Sequence, residues 1–321
     1  MNHLLRGAGL CAFSLSLLAN SALADECNGW FPDLNRGCES VGRPAGFAAP
    51  IAQPFLFEDA FVTTGVRTLR LDQRFTNKPP FGGGEAEVVA AQFRIALTER
   101  FAFIGSKAGV MWTRPDNPLL PHDKTPIPLT LGFKYALRQD ADANRFASFA
   151  LRYGDAFQSG SNGALMPSLA GALRFGDVAF QADAGGSWAL DAAHSSSAFW
   201  HLHAGWAGLP IFTPFVQFSG IHWLTGGDGS TTIPLSPLGR RVFGVPSLSV
   251  AAAERFFGPL EGGDLVNLGT PGAARLDLIT AAAGLQLRVR GFVVAAAYER
   301  PLNARHGVIG ERITTSVSIE L

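Results

Sequence analysis

The chain has 321 residues, a formal net charge of +0 and 47% hydrophobic residues, with 25 Phe and 37 Gly. Neutrality excludes a partner gripped by bulk charge, such as nucleic acid. Beyond the first two dozen residues there is no run of about eighteen apolar residues, which excludes membrane-spanning helices and leaves strands to carry the apolar side chains.

Residues 1–24 combine Arg6, an apolar run from Leu10 to Leu18 and the small-residue ending Ser21-Ala22-Leu23-Ala24, the pattern of a secretory signal peptide. The chain is therefore expected to be exported, and Cys27 and Cys38 to close a structural disulfide in an oxidising periplasm. Residues 25–62 are punctuated by Pro and Gly without sustained periodicity and read as a periplasmic N-terminal extension, either a plug or a tether.

From residue 63 to residue 321 strand-like runs follow one another. Thr64 to Phe75 sets Leu69 and Leu71 against Arg70, Asp72 and Arg74. Val89 to Thr98 groups Val89, Ala91, Phe93 and Ile95 against Gln92 and Arg94. Phe101 to Trp112 follows, and Ile127 to Leu137 then alternates strictly, with Lys134 on its small or polar face. Strands are further expected at Phe146 to Gly154, Pro167 to Phe175, Val178 to Trp188, Ala198 to Trp206, Ile211 to Trp223, Leu276 to Arg288, Phe292 to Arg300 and Arg312 to Leu321. The count is twelve, and runs of this length suit strands that cross a bilayer at a tilt, which need about 9–11 residues.

The connections alternate in length. Glu99-Arg100, Gly176-Asp177 and Val289 to Gly291 are short, whereas Thr113 to Thr125, Asp155 to Met166 and Leu224 to Arg275 are long. Short turns at one rim and long loops at the other, with an even strand count, describe an all-β fold, a closed antiparallel transmembrane β-barrel. Val245 to Phe256 also has a strand-like pattern, but counting it breaks the alternation, so it is assigned to the long loop, folded over or into the mouth. Fourteen strands is the alternative, with one drawn from Phe55 to Phe61.

The final run, with Ile313, Thr315, Val317, Ile319 and Leu321 alternating up to the terminus, resembles the C-terminal strand that the outer-membrane assembly machinery recognises, although it ends in Leu rather than Phe or Trp. Phe199-Trp200-His201, Asn267-Leu268-Gly269 and Ala297 to Leu302 resemble stretches of uncharacterised exported barrel proteins of transporter or porin-like type. The resemblance implies a Gram-negative outer-membrane β-barrel, with lipid and the barrel-assembly machinery as partners. It carries no substrate.

With apolar positions turned to lipid, the lumen is expected to receive Arg70, Asp72, Arg74, Gln92, Arg94, Lys134, Arg152, Arg174, Asp183, His201, His203, Arg288 and Glu299. Arginine dominates this set. One reading is a cationic lining that passes or takes up a small anionic solute, and the other is a filled interior whose charges pair with each other, as in a non-conducting scaffold. His201 and His203 share a face and could meet a metal with a third ligand such as His222, but no Cys or carboxylate sits at ligand spacing, so neither metal nor cofactor is assigned. An outer-membrane lipid-modifying enzyme would need a nucleophile, and His194 with Ser195, Ser196 and Ser197 form the one cluster of suitable side chains, without a recognisable nucleophile motif; no catalytic residue is assigned.

Overall fold

In a computed structural model, the chain is described from residue 43 to residue 320 apart from 45, 143, 155–160, 210, 290 and 304–307. The expected signal peptide and the Cys27–Cys38 disulfide lie outside the described residues.

The strands are β1 (Gly65–Arg74), β2 (Gly84–Ala96), β3 (Phe101–Pro115), β4 (Asp123–Asp140), β5 (Arg145–Gly154), β6 (Ala164–Phe175), β7 (Val178–Ala189), β8 (Ser196–Trp206) and β9 (Phe212–Thr225). A short ribbon, β10 (Thr232–Pro234) with β11 (Ser247–Ser249), interrupts the series before β12 (Asp277–Val289), β13 (Phe292–Pro301) and β14 (Glu311–Glu320). Twelve strands form one closed antiparallel barrel, in which β9 passes directly to β12 and β14 closes on β1 from Gly65↔Glu320 to Arg74↔Glu311. Closure leaves no sheet edge, the condition hydrocarbon imposes on strands. Several strands run further toward the long-loop rim than their hydrophobic pattern alone indicates, and β3 and β4 stay paired out to Thr113↔Asp123.

Val245 to Phe256 lies in the long loop, as β11 and most of a helix, α2 (Val250–Phe257). A helix before it, α1 (Pro237–Phe243), is capped by Ser236, which accepts from the Gly239 amide, and ends at Gly244 with φ 69. Phe55 to Phe61 is not a strand. It lies inside the barrel, which removes the fourteen-strand alternative.

Outward positions form the apolar band. Phe133, Tyr135 and Leu137 on β4, Phe149, Leu151 and Tyr153 on β5, and Leu165, Leu169 and Leu173 on β6 are all exposed, and such a surface requires lipid around it. Inward positions on several strands are small, among them Ala170 and Ala172 on β6, Ala179 on β7 and Ala295 and Ala297 on β13. Small wall residues leave room in the lumen, and the chain's own N-terminal segment fills it.

The segment rises from the short-turn rim, turns at Gln53, whose carbonyl accepts from the Leu56 and Phe57 amides, and descends to the same rim. Arg43 at one end pairs with Glu320, and Thr64 at the other accepts from the Ala96 amide, so both feet stand beside the start of β1. Phe47 and Phe61 pack on Phe146, Ala170, Ala172 and Ala179; Ile51 packs on Phe215, Ala295 and Ala297; Phe55 meets Leu69, Leu71, Val88 and Ile127. Residues 43–62, residue 45 apart, therefore form a hairpin within the barrel, the plug rather than the tether of the sequence reading, because their apolar side chains find more apolar surface in the lumen than water offers.

The plug also corrects two sequence expectations. Leu69 and Leu71 face inward and are 2% and 0% exposed, so Arg70, Asp72 and Arg74 face outward rather than into the lumen. The rule that apolar means lipid-facing fails here because the lumen at this height holds Phe55. Ile127 likewise turns inward, where the β3–β4 register shifts between Gly105 and Gly109 and reverses the alternation that Leu131 to Leu137 keep.

Since Phe55 fills the plug tip at 1% exposure, Phe55→Ala should cost about 3–5 kcal/mol. The check is the thermal midpoint of barrel unfolding in detergent followed by circular dichroism; Leu169→Ala, on the lipid face, should cost far less.

Candidate functional site

The centre of the lumen is an ion cluster between plug and wall. Glu58 and Asp59 leave the plug's descending arm side by side. Lys134 of β4 places Nζ 2.5 Å from Glu58 Oε1 and 3.0 Å from Asp59 Oδ1. Arg94 of β2 reaches Glu58 Oε1 at 2.9 Å and Asp59 Oδ2 at 3.4 Å. Arg43 completes the set, with Nη2 2.7 Å from Asp59 Oδ2. Each wall cation therefore bridges both carboxylates. The side chains are almost fully buried, so loss of one partner would strand a charge in low dielectric, at about 3–5 kcal/mol.

Around this cluster the wall holds the plug's backbone. Arg152 donates to the carbonyls of Phe55 at 3.1 Å and Leu56 at 2.8 Å, and Arg67 to that of Pro50 at 3.1 Å. Gln92, Gln181 and Gln217 donate to the carbonyls of Pro54, Ala48 and Ala52, while Gln286 accepts from the Ala49 amide. Irregular backbone buried at membrane depth needs such partners, because no strand or water supplies them. Gly132 makes the Arg152 position possible, since a Cβ there would lie 2.8 Å from the Arg152 Cγ.

Of the residues proposed from sequence, Gln92, Arg94, Lys134, Arg152, Asp183, His201, His203 and Glu299 face the lumen. Asp183 pairs with His201 at 2.5 Å, and His201 stacks on Phe57 at 4.8 Å between ring centres. Glu299 accepts from Gln53, and His203 packs against Phe215. Arg174 lies at the short-turn rim, bonded to the Gly176 carbonyl, and Arg288 is half-buried near the same rim. Arg70 pairs with Asp72 and Glu87, and Arg74 with Glu311, all on the outer surface near the long-loop rim. His222 also points outward, between Trp200 and Asp277, so it cannot join His201 and His203 on a metal. Arg43, Arg67, Glu58 and Asp59 are absent from the sequence-based set. The signal for the last two is F-L-F-E-D-A-F-V, an acidic pair inside an apolar stretch that water would not tolerate.

From the opposite rim the long loop dips into the mouth. Asp264 pairs with Arg312 at 2.8 Å, Lys107 donates to the Leu265 carbonyl at 2.9 Å, and Leu265 packs against the Phe55 cluster. A cavity of about 50 Å³ remains between plug tip and loop tip, bordered by Leu56, Thr130, Met166 and Asn267. It has room for a few waters. Glu261 anchors the loop, accepting from the Ser195 hydroxyl at 2.6 Å, the Leu268 amide at 2.8 Å and the Thr270 amide at 3.0 Å. The Ser195 hydroxyl is thus bonded to Glu261, while the neighbouring His194 is bonded to Asp191.

A closed twelve-stranded barrel with an outward apolar band, short turns at one rim and long loops at the other leaves one architecture. The fold is that of a Gram-negative outer-membrane β-barrel. An outer membrane channel from Pseudomonas putida F1 superposes with a TM-score of 0.55 over 88% of this chain and 100% of its own, at 12% sequence identity. The translocator domain of autotransporter NalP from Neisseria meningitidis gives 0.44 at 9% identity over 80% and 87%, and the transport unit of AIDA-I from Escherichia coli 0.43 at 11% over 96% of each chain. No known family matches the sequence, and no curated protein does. The plug enters from the short-turn rim, and the long loop covers the opposite mouth.

Burial raises the Glu261 carboxyl above its ordinary value of 4.5, outweighing the donors from Ser195, Leu268 and Thr270. The docked loop therefore favours the protonated form. That stabilisation is fully present below the ordinary value and is lost as pH climbs through the raised one. Hydrogen exchange at the Leu268 and Thr270 amides, corrected for intrinsic rate, should show stronger protection at about pH 5 than at pH 8, and Glu261→Gln should abolish the difference.

Proposed function

We propose that the barrel is a gated outer-membrane channel for a small anionic solute, closed in this conformation by its own N-terminal hairpin. The observation that supports this reading is the seat of Glu58 and Asp59: the plug is held by placing carboxylates on wall cations, Arg94 and Lys134. A structural filler needs only apolar complementarity to stay in an apolar lumen. This one carries charges instead, and its departure exposes a cationic lining that attracts anions and repels cations. Small inward residues such as Ala170, Ala172, Ala295 and Ala297 keep the emptied lumen wide.

A non-conducting scaffold is the second reading, and the meeting of plug tip and loop tip at Phe55 and Leu265 favours it. Lipid modification has less support, since the Ser195 hydroxyl is bound to Glu261 and not to a histidine. For assembly, the outward row Ile313, Val317 and Ile319 on β14 offers the barrel-assembly machinery an apolar terminal strand.

Planar-bilayer recording separates the first two readings. The wild-type barrel should conduct rarely. Glu58→Gln/Asp59→Asn, which withdraws the plug's negative charge, should raise open probability at least about tenfold, the result of removing about 1.4 kcal/mol from the closed state. In a potassium chloride gradient the reversal potential of the open state should report anion selectivity. A folded, heat-modifiable variant that never conducts would establish the scaffold instead, and one that conducts but prefers cations would overturn the anionic solute.

A further inference from the structure

We infer that the pocket occupied by Glu58 and Asp59 is the solute site, and that its solute is a dianion whose two negative groups present oxygens no more than 5.5 Å apart, such as a short dicarboxylate. The inference rests on the channel reading for its role in transport, but the site itself is defined by the wall.

Geometry sets the spacing. Lys134 Nζ is 2.5 Å from a Glu58 oxygen and 3.0 Å from an Asp59 oxygen, so those two oxygens are at most 5.5 Å apart. Arg94 spans the same two carboxylates from another strand, with Nη2 on Glu58 and Nη1 on Asp59. Two cations that each touch both acids make a receptor for a pair of charges rather than for one. A planar guanidinium beside an ammonium suits this, because the fork fixes orientation and the point charge adds attraction without a directional demand.

Charge balance sets the valence. Withdrawal of the hairpin removes Glu58, Asp59 and Arg43 together. On the neighbouring wall it leaves Arg67, Arg94, Lys134 and Arg152 from β1, β2, β4 and β5, opposed by Asp183 and Glu320. With Arg288 near the same rim, the surplus is at least two positive charges, more than a monoanion can neutralise. Arg67 and Arg152 strengthen the case, because the plug gives them only the carbonyls of Pro50, Phe55 and Leu56, and Nη2 of Arg67 and Nε of Arg152 lack a hydrogen-bond partner among the described residues. Both side chains are buried, and vacated carbonyls would leave further donors unpaired in the site.

Solute binding and plug withdrawal are then linked. Whatever binds the open wall, and not the plugged one, shifts the barrel toward the open state by its differential affinity. The plug's acid pair acts as an internal competitor for the same contacts.

The test uses the full-length Glu58→Gln/Asp59→Asn barrel, with malonate as the dianionic probe and acetate as the monoanion. Malonate should reduce the chloride current at a concentration at least about tenfold below that needed for acetate, and should raise the thermal midpoint of the same variant in detergent where acetate does not. Adding Arg94→Gln should remove the preference for malonate in both measurements. Equal effects of malonate and acetate, or a preference that survives Arg94→Gln, overturn the dianion site and leave an anion-selective channel standing. If the variant does not conduct, the channel reading fails by itself, and the thermal shift with its Arg94→Gln control still decides whether the site exists.

Discussion

The buried contact of Glu58 and Asp59 with Arg94 and Lys134 is the constraint on which the arrangement of the lumen depends. Arg94 and Lys134 could not lie in a filled lumen unless carboxylates met them, since an unpaired ion in low dielectric costs several kcal/mol. Those carboxylates come from a segment that must then thread through the lumen. Once there, its apolar side chains need apolar wall, and its irregular backbone needs donors and acceptors. The wall supplies Leu69, Leu71 and Ala-rich strands for the first, and Gln92, Gln181, Gln217, Gln286 and Arg152 for the second. Lumen composition, polar placement and the inverted face of β1 all follow from one internal salt-bridge cluster.

The two covers of the lumen are not independent bodies. Phe55 on the plug and Leu265 on the long loop belong to the same apolar cluster, and Gln53 on the plug and Arg312 under the loop converge on Glu299. A change at one cover therefore alters the surroundings of the other. Burying Leu265 is favourable only while Phe55 is beneath it. The Glu261 anchor at the outer rim and the acid pair at the inner one bias the same closed arrangement from opposite ends of the barrel.

Period-two alternation and the short–long rhythm of connections made the barrel and its strand number legible from sequence, because both are local and periodic. The lumen was legible only where its residues obeyed the usual polarity. Arg94, Lys134 and Arg152 sit on polar faces opposite strong apolar ones, and each points inward. Arg70, Asp72 and Arg74 sit on a face of the same appearance and point outward, because Leu69 and Leu71 pack on Phe55, a contact with no local trace in β1. Ile127 departs from its pattern for a different reason: β4 takes one extra residue between Ile127 and Thr130, where the pairing passes from Lys107↔Thr130 to Gly109↔Ile127, and this reverses the alternation there. Residues 43–62 offered no period at all. Their burial comes from long-range partners, which a window along the chain does not contain.

The hairpin has both feet at the short-turn rim and is continuous with β1 at Gly65. Between Arg43 and Gly65 it forms no pair with any barrel strand, so its withdrawal would break no strand pair. Tethering also means that it rebinds as an intramolecular ligand, whose local concentration is on the order of millimolar for short flexible linkers. On the proposed channel reading, a solute in dilute surroundings faces a rival that never diffuses away. Such a barrel is then a threshold device, whose response to external concentration is set by the hold of the wall on Glu58 and Asp59 as much as by its affinity for the solute.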